Sequence, residues 1–498
     1  MNLPGFRLFV PMLLLATGFV DAQQTPDNAP SATEAVQLQV DRLAEMVNRE
    51  QAALESSQRQ IELLRRQVTE LQGQLVGTRQ PPQQTEEEAV ARLNADVENI
   101  RERQEVQQSE IATHEQDKVE SASKFPVNVT GLILMNTFVN TAAVDVPPSP
   151  TLATGGSGTT GISLRQTVLG LDARGPHVFG ASSDADVRMD FFGGVSQSGS
   201  YTQIGGLARL RTAHAELAWD QTRAFVALDR PIVSPNIPSS LTAIAQPALS
   251  WSGNLWNWMP QVGAEHTLRL NDSSRISLQG AIADVPDPPT SLQITVPAPV
   301  AGLGELSRWP GTEARVGYAR GSDLTGLRVG AGGYFGPHTF NQYFSFDAWA
   351  ATVDYRIPLF AHLESSGSFY RGLALGGLGG GAYKDYLYTE EPNGNYIYRP
   401  LDDVGGWTQL KARASERLEF NVAYGLDNAF AHEIRPYVLN TSSAYQSLAR
   451  NSTWFANVIY SPTAYTLFSF EYRRIDSSYA IGPHAVSNVY GVAGGYRF

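Results

Sequence analysis

Arginine and acidic side chains recur at two-residue spacing in two short segments of the chain. Asp186, Arg188 and Asp190 share alternate positions in the first segment, and Arg209 and Arg211 do so in the second. On an extended strand, residues two apart point to the same face. Arg binds carboxylate and phosphate groups through paired hydrogen bonds, and rings of Arg select anions in channels. Two interpretations stay open: a basic ladder for anions, or ordinary charged side chains that face water.

The same alternation supplies candidates elsewhere in the chain. Arg165 and Arg188 lie on neighbouring segments and would extend the ladder of Arg209 and Arg211. Asp184 and the other nearby acids would oppose these bases, as in a transverse field across a constriction. Together with basic residues of later segments, the predicted pore-lining residues are Arg165, Asp186, Arg188, Asp190, Arg209, Arg211, Arg315, Lys411 and Arg413.

Several other kinds of chemistry find no support in the sequence. The chain has no Cys, which excludes disulfides, thiolate metal sites and Cys nucleophiles. The eight His lack metal-ligand spacing, and no H-E-x-x-H or G-x-S-x-G motif occurs. The glycine-rich stretch 376–381 lacks the Lys-Ser/Thr of a phosphate loop and is predicted to be a flexible loop. We therefore expect no enzyme, no cofactor and no metal, and the net charge of −12 argues against a nucleic-acid partner.

The elements that position these charges begin at residue 125, where polar and apolar residues start to alternate. Short and long gaps between the alternating segments also alternate, with long gaps at 140–161, 231–261, 284–311, 373–405 and 428–451. Sixteen strands are predicted, at 126–139, 162–174, 183–192, 207–219, 223–230, 262–270, 275–283, 312–320, 327–335, 346–356, 362–372, 406–414, 417–427, 452–461, 465–474 and 487–498.

This pattern favours an all-β transmembrane barrel of about sixteen antiparallel strands. A soluble sandwich also tolerates one polar and one apolar face. Strands of 9–11 residues match a tilted bilayer span, however, and short turns alternating with long loops are typical of outer-membrane barrels. A barrel of sixteen strands is wide enough for an aqueous channel. The loop 231–261, rich in Pro and Trp, is predicted to form a constriction, to cap the barrel or to pack between subunits.

The first quarter of the chain is a separate region. Residues 1–124 hold twelve Lys and Arg against twenty Asp and Glu, and all eight Trp lie after residue 200. Unbroken heptads with apolar positions from Val36 to Leu75 predict an α-helical coiled coil, which needs partner chains but does not settle dimer against trimer. The predicted organisation is a signal peptide at 1–22, a disordered leader at 23–35, a coiled coil at 36–78, a linker with a second helical segment at 79–124 and the barrel at 125–498.

The order of these parts resembles the DcaP-like trimeric porins of the bacterial outer membrane. Local signs are Leu164-Arg165-Gln166, the run Arg209-Leu210-Arg211-Thr212-Ala213, and the terminal Tyr496-Arg497-Phe498. The resemblance implies a homotrimer, a coiled coil in the periplasm and passive uptake of small, often anionic, solutes.

We therefore expect an outer-membrane porin through which small hydrophilic solutes diffuse passively. Its partners would be two further copies of the chain, outer-membrane lipid and the solutes themselves. The alternative is an envelope tether whose coiled coil grips peptidoglycan, with the barrel as its anchor. The resemblance and the export signal both place the protein in the bacterial outer membrane, with the coiled coil in the periplasm.

Overall fold

The computed structural model describes residues 126–193, 206–288, 301–322, 326–341, 344–438 and 444–498. The predicted signal peptide, leader, coiled coil and linker lie outside the described residues. The strands are β1 (Val127–Val144), β2 (Ala153–Ser163), β3 (Val168–Arg174), β4 (Ser182–Asp190), β5 (Arg209–Ala218), β6 (Thr222–Asp229), β7 (Met259–Asn271), β8 (Ser274–Ala283), β9 (Gly311–Arg320), β10 (Leu327–Asn341), β11 (Phe344–Phe360), β12 (Leu363–Leu373), β13 (Tyr386–Glu390), β14 (Tyr396–Pro400), β15 (Asp402–Arg413), β16 (Leu418–Asn428), β17 (Leu448–Tyr460), β18 (Thr466–Tyr479) and β19 (Ala485–Arg497). Short helices are α1 (Leu303–Ser307), α2 (Ala431–Ile434) and α3 (Ala444–Ser447).

Seventeen of these strands form one antiparallel sheet that closes on itself. The first strand, β1, pairs with the last, β19, from Leu132–Arg497 to Asn140–Val489. On its other edge β1 pairs with both β2 and β3. These two strands are therefore one barrel strand, interrupted at residues 164–167. The result is a closed barrel of sixteen strands, which confirms the predicted all-β antiparallel barrel and its strand number.

All sixteen predicted segments overlap barrel strands, but two long gaps were misread. The gap predicted at 140–161 is wrong, because β1 and β2 continue into it and leave a loop of only 145–152. Residues 153–163 are mostly Gly, Thr and Ser and give no apolar alternation, although they pair with β1. The predicted loop 373–405 contains a separate hairpin of β13 and β14.

Alternation along each strand sends one set of side chains outward and the other inward. On β18, Phe468 and Phe470 are exposed on the outer face, whereas Ser469, Glu471 and Arg473 are buried on the inner face. The same division follows the register around the barrel. The apolar cores inside the barrel are therefore built where loops fold against the inner face.

Aromatic residues are unevenly distributed over the outer face. Strands β1–β8 contain two aromatics, Phe138 and Phe225, and the pairing directs both of them inward. Strands β9–β19 direct many outward, namely Tyr318, Phe335, Trp349, Tyr355, Phe369, Phe420, Tyr424, Trp454, Tyr460, Phe468, Phe470, Tyr472, Tyr490 and Tyr496. Among the described residues, no helix is both long and apolar enough to cross a membrane.

Candidate functional site

The loop between β6 and β7 folds into the barrel and follows its inner wall. We call residues 231–258 the ring loop. The Val233 amide donates to Glu313 at 3.2 Å, and the Val233 carbonyl accepts from Thr352 at 2.9 Å. Further along, the amide of Ser239 donates to the side-chain oxygen of Gln409 at 2.7 Å. These contacts join the ring loop first to β9, then to β11 and then to β15.

The ring loop continues around the remaining wall and returns to β5. Ser240 and Thr242 donate to Glu471 on β18 at 2.6 and 2.8 Å. Gln166, in the break between β2 and β3, accepts from the amide of Ile244 at 2.7 Å. Arg209 on β5 donates to the carbonyl of Ala245 at 2.6 Å. Of the three positions predicted for this loop, the structure shows the inward one.

Neutral side chains make the close approach to the wall possible. The ring loop has no charged residue, so only hydroxyl, amide and backbone groups must be satisfied on its side. Gly253 has a φ of 97°, and a Cβ there would lie 2.1 Å from the carbonyl oxygen of Gly406. Any larger residue would push the loop off β15.

A second segment lies across the lumen next to the ring loop. We call residues 374–385 the roof segment. Its Leu375 and Leu378 pack in an apolar cluster with Tyr334 and Tyr370 on the inner face of β10 and β12. At its other end the Tyr383 hydroxyl donates to Asp145, just after β1, at 3.2 Å. The prediction of a flexible loop at 376–381 is wrong, because this glycine-rich stretch is fully buried.

The ring loop lies against the middle of strands β9–β18, where the inward charges are buried. Arg315 donates two hydrogen bonds to Asp354 at 2.8 and 2.7 Å, and its side chain is 9% exposed. Arg473 donates to Glu471 at 2.6 Å with a side chain that is 5% exposed. A buried charge is tolerated only with a partner, and these pairs supply one. This half of the interior is therefore packed.

Strands β3–β7 keep their inward charges in contact with water. Arg188 pairs with Asp172 at 2.5 Å, and the Asp172 side chain is 37% exposed. Arg223 pairs with Glu265 at 2.6 Å and is itself 43% exposed. Asp186 lies 3.6 Å from Arg188. We predicted that acids and bases would face each other across a constriction. The structure instead pairs them directly on adjacent strands.

Three of the predicted Arg residues gather where the ring loop meets the wall. Arg209 binds Asp190 with two hydrogen bonds at 2.8 and 2.9 Å. Arg209 and Arg211 lie over the ring of Trp258 at 5.1 and 5.2 Å, and Arg165 lies 4.5 Å from the ring of Phe192. Arg211 also lies close enough to Arg209 and to Arg230 for electrostatic repulsion, and the sequence analysis missed Arg230. We call Arg165, Arg209, Arg211 and Arg230 the arginine cluster.

The remaining predicted residues lie at the short-turn end of the barrel. Lys411 pairs with Glu419 at 3.3 Å, and Arg413 lies 3.9 Å from both Glu364 and Glu419. A cavity of about 500 Å³ opens here beneath the ring loop. Its charged lining residues are Arg211, Arg413, Glu416, Arg417, Glu419 and Arg497.

The structure thus brings some predicted residues together and separates others. Arg188 pairs with Asp172 and Asp186 instead of joining Arg209 and Arg211 in one ladder. Sequence reasoning also missed Arg223 and Glu265. Arg223 opens a strand whose other residues are mainly apolar, so only its pairing with β7 reveals its role.

Two groups of the roof segment have strongly altered acidity because they are buried. Lys384 donates to the carbonyls of Ala382, Tyr445 and Leu448 at 2.6, 3.0 and 2.6 Å. Burial lowers the pKa of Lys384 to about 7. Burial and the charge of Asp287 raise the pKa of Asp385 to about 8. Ionising either group in place is therefore costly.

Comparison with known proteins adds evidence on the fold. No protein-family model matches the chain, and no curated protein matches it. The outer membrane channel DcaP of Acinetobacter baumannii is similar in structure with a TM-score of 0.56 and 16% identity, over 76% of this chain and 99% of that chain. The anion-selective porin from Comamonas acidovorans gives 0.44 and 11%, over 75% and 100%. OprB of Pseudomonas putida gives 0.46 and 9%, over 75% and 94%.

Proposed function

We propose that this protein is an outer-membrane porin through which small hydrophilic solutes diffuse passively. The observation that carries the proposal is the water-exposed charged inner wall of β3–β7 inside a closed barrel with an apolar outer face. A closed barrel satisfies every backbone hydrogen bond in lipid, and such barrels have short periplasmic turns and long external loops. The fold shared with DcaP supports the same assignment. The protein would act as a channel and not as an enzyme.

The arginine cluster supports a preference for anions. Its four Arg face two nearby carboxylates, Asp190 and Asp229. The ring loop beside it carries no acid that would offset this excess. Anions would therefore meet a net positive site where the ring loop meets the wall. The porin from Comamonas acidovorans is itself described as anion-selective.

A homotrimer is supported by the outer face. Aromatic girdles lie at membrane interfaces, and the outer face of β9–β19 carries one. Strands β1–β8 direct no aromatic outward and present small and aliphatic residues such as Ala185, Ala215 and Val226, while the exposed Phe179 and Trp219 lie in the turns that flank them. We propose that this face packs against the other two copies, and that the N-terminal heptads join the copies in the periplasm.

The function is tested by reconstitution into planar bilayers, with reversal potentials measured in asymmetric potassium chloride. We expect conductance steps and a reversal potential that favours chloride. Absence of steps would contradict the channel. Cation preference would contradict the role of the arginine cluster while leaving the channel intact.

The second candidate is an envelope tether, and the regular heptads from Val36 to Leu75 favour it. Removing residues 23–124 distinguishes the two functions. A porin keeps its conductance after this deletion. A tether loses peptidoglycan binding in a cell-wall pull-down, and the envelope weakens.

A further inference from the structure

The roof segment is more deeply enclosed than loops at the mouth of a barrel usually are. Ala382 and Lys384 are fully buried, and Asp385 is 1% exposed. The segment reaches from the inner face of β8–β12 to the first loop and β17, so it spans the lumen over the packed half. The amide of Asn257 donates to its Leu378 carbonyl at 3.3 Å, which joins it to the ring loop.

Its backbone is strained. Ala374, Ala382 and Tyr383 have φ of 57°, 46° and 71°, a region that residues other than Gly seldom adopt. Such conformations persist only where the surroundings hold them, and they cluster in segments that switch between two arrangements. Three of them within ten residues mean that something must hold the roof segment in place.

Polar groups of the wall provide that hold. The Gly381 amide donates to Asp403 at 2.8 Å, and the Ala382 amide donates to Asp427 at 2.7 Å. The Tyr370 hydroxyl donates to Asp427 at 2.5 Å. Asp403 and Asp427 are both 0% exposed, and Lys384 lies close enough to both for electrostatic attraction. We call Lys384, Asp403 and Asp427 the latch.

We propose that the roof segment is a releasable plug, held shut by the latch, which closes the packed half of the lumen. Release relieves the backbone strain and exposes to water the parts of β10, β12 and β15–β17 that the roof segment covers. The pore then has two conductance levels, a basal one along β3–β7 and a larger one that includes this newly exposed wall. This inference rests on the proposed channel function.

A reversible cross-link tests the plug, because the chain has no Cys of its own. A Cβ at Gly380 would lie 3.0 Å from a carboxylate oxygen of Asp403, and the φ of Gly380 is −113°, which Cys adopts without strain. The double variant Gly380→Cys with Asp403→Cys replaces the latch contact by a disulfide. Oxidised channels should show the wild-type conductance. After reduction we expect conductance to rise by up to about twofold, because the part of the wall that the roof segment covers then becomes available to water.

A single substitution with a matched control supports the cross-link. Asp403→Ala removes the acceptor of the Gly381 amide and should also raise the conductance. Asp402→Ala is the matched control, because the neighbouring Asp402 points outward and pairs with Arg371 at 2.7 Å. This variant should leave the conductance unchanged. Suppose that wild-type channels conduct, and that neither reduction of the double variant nor Asp403→Ala changes the conductance. The proposed plug is then wrong, and the proposed porin function still holds. If wild-type protein never conducts, the proposed function itself fails.

Discussion

Strands β3–β7 and strands β9–β18 line the same lumen but use their charges differently. On β3–β7, pairs such as Arg223 and Glu265 face water. On β9–β18, pairs such as Arg315 and Asp354 are buried, and the residues two positions before them on the same strand faces hold the ring loop. The outer face changes in parallel, since aromatics appear only from β9 onward among the described strands. Under the proposed function, one half of the wall would serve the solute path and a partner surface, and the other half would anchor the loops and face lipid.

The largest expected effect separates the two halves by stability. Arg315→Met leaves Asp354 buried without its partner, which should lower the free energy of unfolding by about 3–5 kcal/mol. Arg223→Met leaves Glu265 close to water and still bonded to Gln279. It should lower the free energy of unfolding by about 1 kcal/mol or less. Guanidinium unfolding in detergent measures both. Equal losses would contradict the division into packed and water-lined halves.

The next effect concerns the outer face. Ala215→Trp places a large apolar side chain on the aromatic-free face and should separate trimers into monomers, because overpacking a tight interface costs about 1–3 kcal/mol. Ala351→Trp makes the same change on β11, where the neighbouring outward residues are Trp349 and Val353, and lipid should accommodate it. Native mass spectrometry gives the oligomeric state. Dissociation by Ala351→Trp alone would place the interface on the opposite face.

Ion selectivity should respond to a smaller change. Arg211→Glu inverts one charge of the arginine cluster without removing the Arg209–Asp190 pair. We expect the chloride preference in the reversal potential to fall by several-fold, about 1 kcal/mol. Arg320→Glu, on the outward face at the short-turn end of β9, is the control and should leave the reversal potential unchanged. An unchanged potential in Arg211→Glu would mean that the cluster only holds the ring loop.

The smallest effect is a pH dependence of the roof segment. The buried Asp385 has a pKa of about 8 against an ordinary 3.8, so closure binds a proton that the open state releases between these values. The free energy that favours the closed roof segment therefore falls as pH rises from about 4 to 8, and openings should become more frequent. Lys384, Asp287, Asp403 and Asp427 also face this region. Asp385→Asn removes the titration of Asp385 alone. In single-channel recordings, the frequency of openings should then rise less between pH 5 and 7 than in the wild-type channel.

The sequence predicted the barrel well because period-two alternation is a local property of each strand. It predicted inward charges such as Arg188 and Arg315 for the same reason. It did not predict which charges face water, since burial depends on distant parts of the chain: Glu313, two residues before the buried Arg315, binds a loop about 80 residues away. The roof segment was misread because its glycines serve left-handed turns in a buried segment and not flexibility.

The N-terminal predictions remain predictions. The heptads from Val36 to Leu75 and the signal peptide at 1–22 lie outside the described residues. They follow from spacing and composition alone. Cross-linking of the intact mature chain would test whether the heptads associate.

The central claim, that water follows β3–β7 and the adjoining β8 but not the middle of β9–β18, is tested most directly by cysteine accessibility. Ser277 on β8 and Ser368 on β12 both point inward, yet Ser277 is half-buried and Ser368 is 1% exposed. Each is changed singly to Cys, and a charged thiosulfonate reagent is applied during conductance recording. We predict that the reagent reduces the conductance of Ser277→Cys and leaves Ser368→Cys unchanged. Block of Ser368→Cys with no effect on Ser277→Cys would contradict the account.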